Sequence, residues 1–140
     1  EYTLPIGRAD IKREGNDISV ITYGLMVHHC LEAAQAVAGQ GIEVEVLDLR
    51  TVRPIDNKAI VQTAMKTGKV LIVHEDSKAL GVGAEVSAIV SEHAFEYLDG
   101  PVARLAGPEV PAMPFSPLME AMYMIDSDKI AKAIRKLAEY

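Results

Sequence analysis

The feature that most narrows the fold is an alternation of strand-length apolar runs with stretches that carry the period of an amphipathic helix. Met26 to Ala38 places Val27, Cys30, Leu31, Ala34 and Val37 on one helical stripe, and Gly39 and Gly41 end it. Ile42 to Leu49 then sets Val44, Val46 and Leu47 against Glu43 and Glu45, the pattern of a strand. Pro54-Ile55-Asp56 opens a second helix with Asp56 as N-cap, and Gly68 follows its last turn. Val70 to Val73 is an unbroken apolar run, as a strand buried on both faces requires. Gly81-Val82-Gly83 leads into a third helix through Val86, Ile89, Val90 and Leu98, which stops before Gly100-Pro101. Val102 to Ala106 reads as a further strand, and Gly107 to Pro117, with four prolines, as a loop. Asp126 or Ser127 caps a last helix with Ile130, Ala133, Ile134 and Leu137 on one face and Lys129, Lys132, Arg135 and Lys136 on the other.

Strands joined by helices of this length run parallel, with right-handed crossovers. Ahead of them, Ala9 to Arg13 and Ile18 to Thr22 are short strands joined by Glu14-Gly15-Asn16-Asp17, turn formers of hairpin length, so these two strands are expected to pair antiparallel. The expected fold is α/β, a three-layer α/β/α sandwich on a five-stranded mixed sheet with four parallel strands and one antiparallel. A chain of 140 residues, 49% hydrophobic, holds one such domain. It is expected over residues 9–140, with 1–8 as the remnant of an interdomain linker, because Glu1-Tyr2-Thr3-Leu4-Pro5 begins without Met in an extended, Pro-punctuated style.

A net charge of −6 argues against nucleic acid or an anionic membrane as partner, since both need a basic footprint. The single Cys30 permits no internal disulfide, and no apolar run is long enough for a membrane span, so a reducing compartment is the expectation.

Candidate chemistry is sparse. His28 and His29 are adjacent on a helix and point about 100° apart, so they do not share a metal. Cys30 lies on the apolar stripe as a small hydrophobe. His74-Glu75-Asp76 falls at the C-terminal end of the buried strand, where parallel sheets place ligands and interfaces, and reads first as an interface. Gly81 and Gly83 could offer backbone amides to an anion, but the spacing is not GxGxxG, and close helix packing is the better reading. Asp48, Arg50 and Arg53 after the preceding strand fit loop stiffening or a domain interface better than a carboxylate or phosphate site. No Ser/His/Asp order or carboxylate pair forms a catalytic set.

Taken together, Ile6-Gly7-Arg8-Ala9, Arg13-Glu14-Gly15, Ile21-Thr22-Tyr23-Gly24, Asp48-Leu49-Arg50-Thr51 with Pro54 and Asp56, Lys66-Thr67-Gly68-Lys69 and Gly83-Ala84-Glu85 resemble one family. It is the C-terminal, transketolase-type domain of the beta subunit of thiamine-diphosphate-dependent 2-oxo acid dehydrogenases, and the resemblance runs from Leu4 to Tyr140. Arg104 to Glu109, Pro111 to Phe115 and Leu137 to Tyr140 look most like the bacterial branched-chain (2-oxoisovalerate) members; pyruvate and acetoin relatives share much of this.

The resemblance implies that thiamine diphosphate and Mg are bound in the parent enzyme outside this domain, and that no residue here is catalytic or holds the cofactor. It implies an assembly role, with contact to a second beta subunit and to alpha subunits in an α2β2 heterotetramer, and docking to the lipoyl acyltransferase core. Asp99, ahead of the Pro before the last strand, and the terminal carboxylate on Tyr140 match the family positions that meet a basic partner. Arg50, His74, Glu75, Gly81, Gly83 and Glu85 are the expected subunit or domain interface. The implied location is cytoplasmic in a bacterium, or the mitochondrial matrix in a eukaryote. Two rivals stand beside it: the same domain of 1-deoxyxylulose-5-phosphate synthase or transketolase, and a free-standing flavodoxin-like module with its ligand near Gly24 and His74.

Overall fold

The computed structural model describes residues 2–140; Glu1, the first residue of the expected linker, lies outside them. Five strands, β1 (Asp10–Arg13), β2 (Ile18–Thr22), β3 (Val44–Asp48), β4 (Val70–Ser77) and β5 (Ala103–Gly107), form one sheet in the order β1-β3-β2-β4-β5. β3, β2, β4 and β5 are parallel, and β1 lies antiparallel against β3. The helices are α1 (Met26–Ala38), α2 (Asn57–Thr67), α3 (Val82–His93), α4 (Pro117–Tyr123) and α5 (Ser127–Ala138).

The period of two along the strands sorts the core into two halves. Val20, Val46, Leu71 and Val73 meet Met26, Cys30 and Ala34 of α1 and Ile130 and Ile134 of α5 on one face. Ile21, Leu47, Val70 and Ile72 meet Ile60 and Ala64 of α2 and Val86 and Val90 of α3 on the other. The three-layer architecture therefore follows from strands that are apolar on both sides. Local chemistry fixes the helix ends as expected. Asp56 accepts from the Ala59 amide at 3.1 Å, Gly68 closes α2 in the left-handed conformation at φ 67°, and Asp126 accepts from the Lys129 amide at 2.8 Å.

The expected opening hairpin does not form. β1 is antiparallel as expected, but it pairs with β3, and β3 separates it from β2. Burial gives the reason: every residue of β2 is buried, which demands a neighbour on each side, whereas the polar Asp10-Ile11-Lys12-Arg13 suits an edge. The turn formers carry the chain across the start of β3. A Cβ on Gly15 would lie 2.2 Å from the Val44 carbonyl carbon, and Asp17 exchanges backbone and side-chain hydrogen bonds with Glu43. Three boundaries also differ: β4 runs on through His74 to Ser77, α3 ends at His93 and is followed by a separate 3₁₀ turn (Phe95–Tyr97) that leaves Leu98 extended, and α4 stands where only the end of a loop was expected.

Among the described residues one carboxylate is fully buried in this scaffold. Glu45 of β3 is fully buried, accepts from the Thr63 hydroxyl and pairs with Lys66 of α2, which also reaches Glu14.

Candidate functional site

The sheet has two ends, and the expected residues divide between them. At the C-terminal end, His74 is fully buried where β4 meets the start of α3, and its Nε2 accepts the Gly83 amide at 3.2 Å. A Cβ on Gly83 would lie 2.3 Å from that nitrogen, and one on Gly81 would lie 2.3 Å from the Ser77 carbonyl oxygen and 2.9 Å from His74 Cε1. The two glycines are there so that α3 can press onto the imidazole. Tyr23, just past β2, stacks on His74 with centroids 6.2 Å apart and planes 15° from parallel. Burial first, with help from Arg104, holds the His74 pKa below that of an ordinary histidine, against the pull of Asp76. The imidazole is thus neutral, with Nε2 as acceptor and the proton assigned to Nδ1.

This crevice between β2 and β4 is the point where crossovers leave in opposite directions, the usual ligand position in an open α/β sheet. Its chemistry opposes an anion. Burial and then the charges of Asp76 and Glu75 push the Tyr23 phenol pKa up, and the Gly83 amide is already taken. A diphosphate would meet negative charge and a filled ring stack, so these residues do not fit thiamine diphosphate. Among the described residues no three His, Cys, Asp or Glu side chains come together as metal ligands. Cys30 is buried with its thiol pushed up to about 12, so it is protonated.

The remaining expected interface residues are exposed or turned to other partners. Glu75 is exposed beside the imidazole, and Glu85 is exposed on the first turn of α3. Arg50, at φ 56°, ends β3: its amide donates to Asp48 at 2.9 Å and its guanidinium to Asp10 at 2.6 Å. The Lys12 ammonium, then the Arg50 guanidinium, hold the Asp10 carboxyl below the usual carboxylate range. Arg50 thereby stiffens the junction of β1 and β3.

At the N-terminal end of the sheet, Asp99 and Tyr140 come together. The Asp99 amide donates to the Gly68 carbonyl at 2.8 Å, and a Cβ on Gly68 would lie 2.4 Å from Asp99 Oδ2. A Cβ on the adjacent Gly100 would lie 3.2 Å from Tyr140 Cβ. Both side chains are exposed, with Phe95 and Tyr97 of a single 3₁₀ turn also exposed nearby in the chain. Asp99 shares a groove with Lys69, whose ammonium donates to the Ala138 carbonyl at 3.3 Å.

The sequence reading missed the most apolar exposed surface. Phe115 and Leu80 are fully exposed, and Met113, Leu118, Met119 and Met122 are exposed in the arm between β5 and α5. Their signal was legible in principle: residues 108–123 contain no Lys or Arg to carry an ordinary solvent-facing loop. No helix among the described residues is long and apolar enough to cross a membrane.

Comparison with known proteins gives a consistent picture. The family model for the C-terminal domain of transketolase matches residues 7–130. The chain is 55% identical over 140 residues to the 2-oxoisovalerate dehydrogenase subunit beta of Bacillus subtilis (strain 168), covering 100% of this chain and 43% of that one. It is 42% identical over 139 residues to the mitochondrial pyruvate dehydrogenase E1 component subunit beta of Dictyostelium discoideum, covering 99% of this chain and 39% of that one. Among solved structures, a split gene transketolase in an inactive beta4 tetramer superposes with a TM-score of 0.86 at 26% identity, over 99% of this chain and 44% of that one. The chain thus spans less than half the length of these relatives.

Proposed function

This chain belongs to the transketolase C-terminal domain family, and from that premise we propose that it is the assembly domain of the beta subunit of a 2-oxo acid dehydrogenase. The parent enzyme decarboxylates a 2-oxo acid, branched-chain by preference, on thiamine diphosphate and passes the acyl group to a lipoyl carrier. This domain contributes contact to alpha and second beta subunits and docking to the acyltransferase core. The observation that carries the reading is the 55% identity across the whole chain to a 2-oxoisovalerate dehydrogenase beta subunit, against 42% to a pyruvate dehydrogenase one.

The chemistry of the two sheet ends supports it. The acidic, ring-filled crevice at Tyr23 and His74 disfavours a diphosphate and with it the flavodoxin-like alternative. Asp99 and Tyr140 share one surface, as a docking site for a basic partner needs. The likeness to a split gene transketolase forming a beta4 tetramer supports self-contact through chains of this type.

The reading is tested by titrating thiamine diphosphate with Mg into the chain in a calorimeter. It expects no saturable heat here, and saturable binding once the chain is joined to the remaining portion of the subunit and assembled with the alpha subunit. Tight cofactor binding by this chain alone overturns it.

A further inference from the structure

The two edge strands of the sheet, β1 and β5, are finished differently. β1 carries Asp10, Lys12 and Arg13 and shifts register against β3 between Ile11 and Arg13, the charges and irregularity by which an edge avoids receiving another strand. β5 is plainer. Its Ala103, Arg104 and Leu105 pair in unbroken register with Leu71, Ile72 and Val73 of β4. Arg104 is the one charged residue in the strand, and its guanidinium donates to the Lys78 carbonyl at 2.9 Å, just past the end of β4, so it is drawn towards the neighbouring strand. As an edge strand, β5 turns every second amide and carbonyl away from β4, and among the described residues no strand lies beyond it.

A groove runs along each side of this edge. On the α5 side Ala103, Leu105, Ala133 and Leu137 give an apolar floor of a groove of about 260 Å³, with Lys136 at its border. On the α3 side Ser87, Ser91, Phe95, Leu98 and Val102 line a wider one of about 720 Å³. An added strand sends successive side chains to opposite faces, so they enter the two grooves in turn. Unpaired main-chain groups between flanking pockets are what strand addition uses: the backbone supplies affinity, and the pockets read alternate side chains.

Charge says what that strand carries. Lys132, Arg135 and Lys136 are exposed on α5, and Lys132 lies one turn before the Lys136 that borders the first groove. Glu96 and Asp99 border the second groove, which also holds the exposed Phe95. Carboxylates are therefore favoured on the α5 side, where their stems cover the apolar floor, and apolar side chains on the α3 side. A second copy of β5 meets the opposite situation. Antiparallel pairing keeps both α5 helices on one face of the joined sheet and turns Lys132 and Lys136 of one copy towards those of the other, and like charges so placed repel.

We propose that the open edge of β5 receives an extended segment of another polypeptide, with carboxylates and apolar side chains in alternation, which adds a strand to the sheet. The partner is opposite in charge to the basic one assigned to Asp99, so this inference stands or falls separately from the docking reading above.

Fluorescence anisotropy of the chain with a capped, dye-labelled peptide of alternating valine and glutamate tests it. The expected result is saturable binding that weakens with salt and falls at least about tenfold when lysine replaces each glutamate. Methylating alternate peptide nitrogens removes ladder donors, keeps every side chain and leaves the protein untouched; it is also expected to cost at least about tenfold. Lys132→Glu with Lys136→Glu, both at exposed positions, is expected to shift the preference to the lysine peptide with an unchanged circular dichroism spectrum. Hydrogen exchange is expected to slow at alternate amides of Ala103 to Gly107 when the valine–glutamate peptide binds. Absence of saturable binding overturns the proposal, as does equal binding of the methylated or the lysine peptide. A concentration-dependent dimer in which those amides are already protected without peptide assigns the edge to a second copy and overturns it too.

Discussion

Replacing Gly83 by Ala tests the contact that shapes the C-terminal end of the sheet. The new methyl would lie 2.3 Å from His74 Nε2 and 2.7 Å from Cδ2, with Ile72 Cγ2 at 3.3 Å behind. The imidazole has nowhere to retreat, being fully buried and stacked against Tyr23. Helix α3 must move out, at an overpacking cost of about 1–3 kcal/mol. That movement also stretches the Gly83 amide bond to Nε2, worth about 1 kcal/mol. The higher helix propensity of Ala offsets at most about 1 kcal/mol. The net expectation is a loss of about 1–3 kcal/mol in urea unfolding at slightly alkaline pH. His74→Ala alone opens a cavity and costs about 2–4 kcal/mol. In the double variant the methyl enters that cavity, so the combined loss is smaller than the sum by at least about 1 kcal/mol. A neutral or stabilised Gly83→Ala, or strict additivity in the cycle, refutes the reasoning.

The same histidine gives a pH signature. Its folded pKa is lowered, so its contribution is present above the unfolded value of about 6.5 and is lost as pH falls towards the lowered folded value, by up to about 1.4 kcal/mol per unit. Urea midpoints from neutral to mildly acidic pH are expected to show that extra slope in the parent chain and not in His74→Ala. Lys66→Met strands the buried Glu45 carboxylate and is expected to cost about 2–3 kcal/mol, less than the about 3–5 of a fully buried pair because Lys66 is partly solvated. Adding Glu45→Gln to Lys66→Met recovers much of that loss in the same unfolding assay. Asp56→Ala removes both the α2 cap and the acceptor for the Ala9 amide at 3.1 Å, and thermal melts are expected to register a loss of about 1–2 kcal/mol.

Much of this fold was written in local patterns. The stripe from Val27 to Val37 gave α1 with its observed bounds, and Asp56, Gly68 and Asp126 occupy the expected caps. These signals lie within one element, where spacing alone decides. The partner of β1 was not local. Glu14 to Asp17 look like a hairpin turn, but pairing was decided by the fully buried β2, which needs neighbours on both sides. The same limit explains the site. His74 and Glu75 stood out because polar residues follow an apolar strand, yet the stack with Tyr23 joins two strands and leaves no trace in spacing. Asp99 and Tyr140 were named through a resemblance, and their adjacency depends on Gly68 and Gly100 making room. The prolines of the arm disguised α4, since Pro117 reads as a breaker but stands in its first turn.

The most direct test of the account is the affinity of the chain for a lipoyl acyltransferase, measured by calorimetry with and without Asp99→Lys. The account predicts saturable binding that weakens with added salt and falls at least about tenfold on charge reversal, with the unfolding midpoint little changed. Binding that Asp99→Lys leaves at full strength contradicts it, as does the absence of binding to the parent chain.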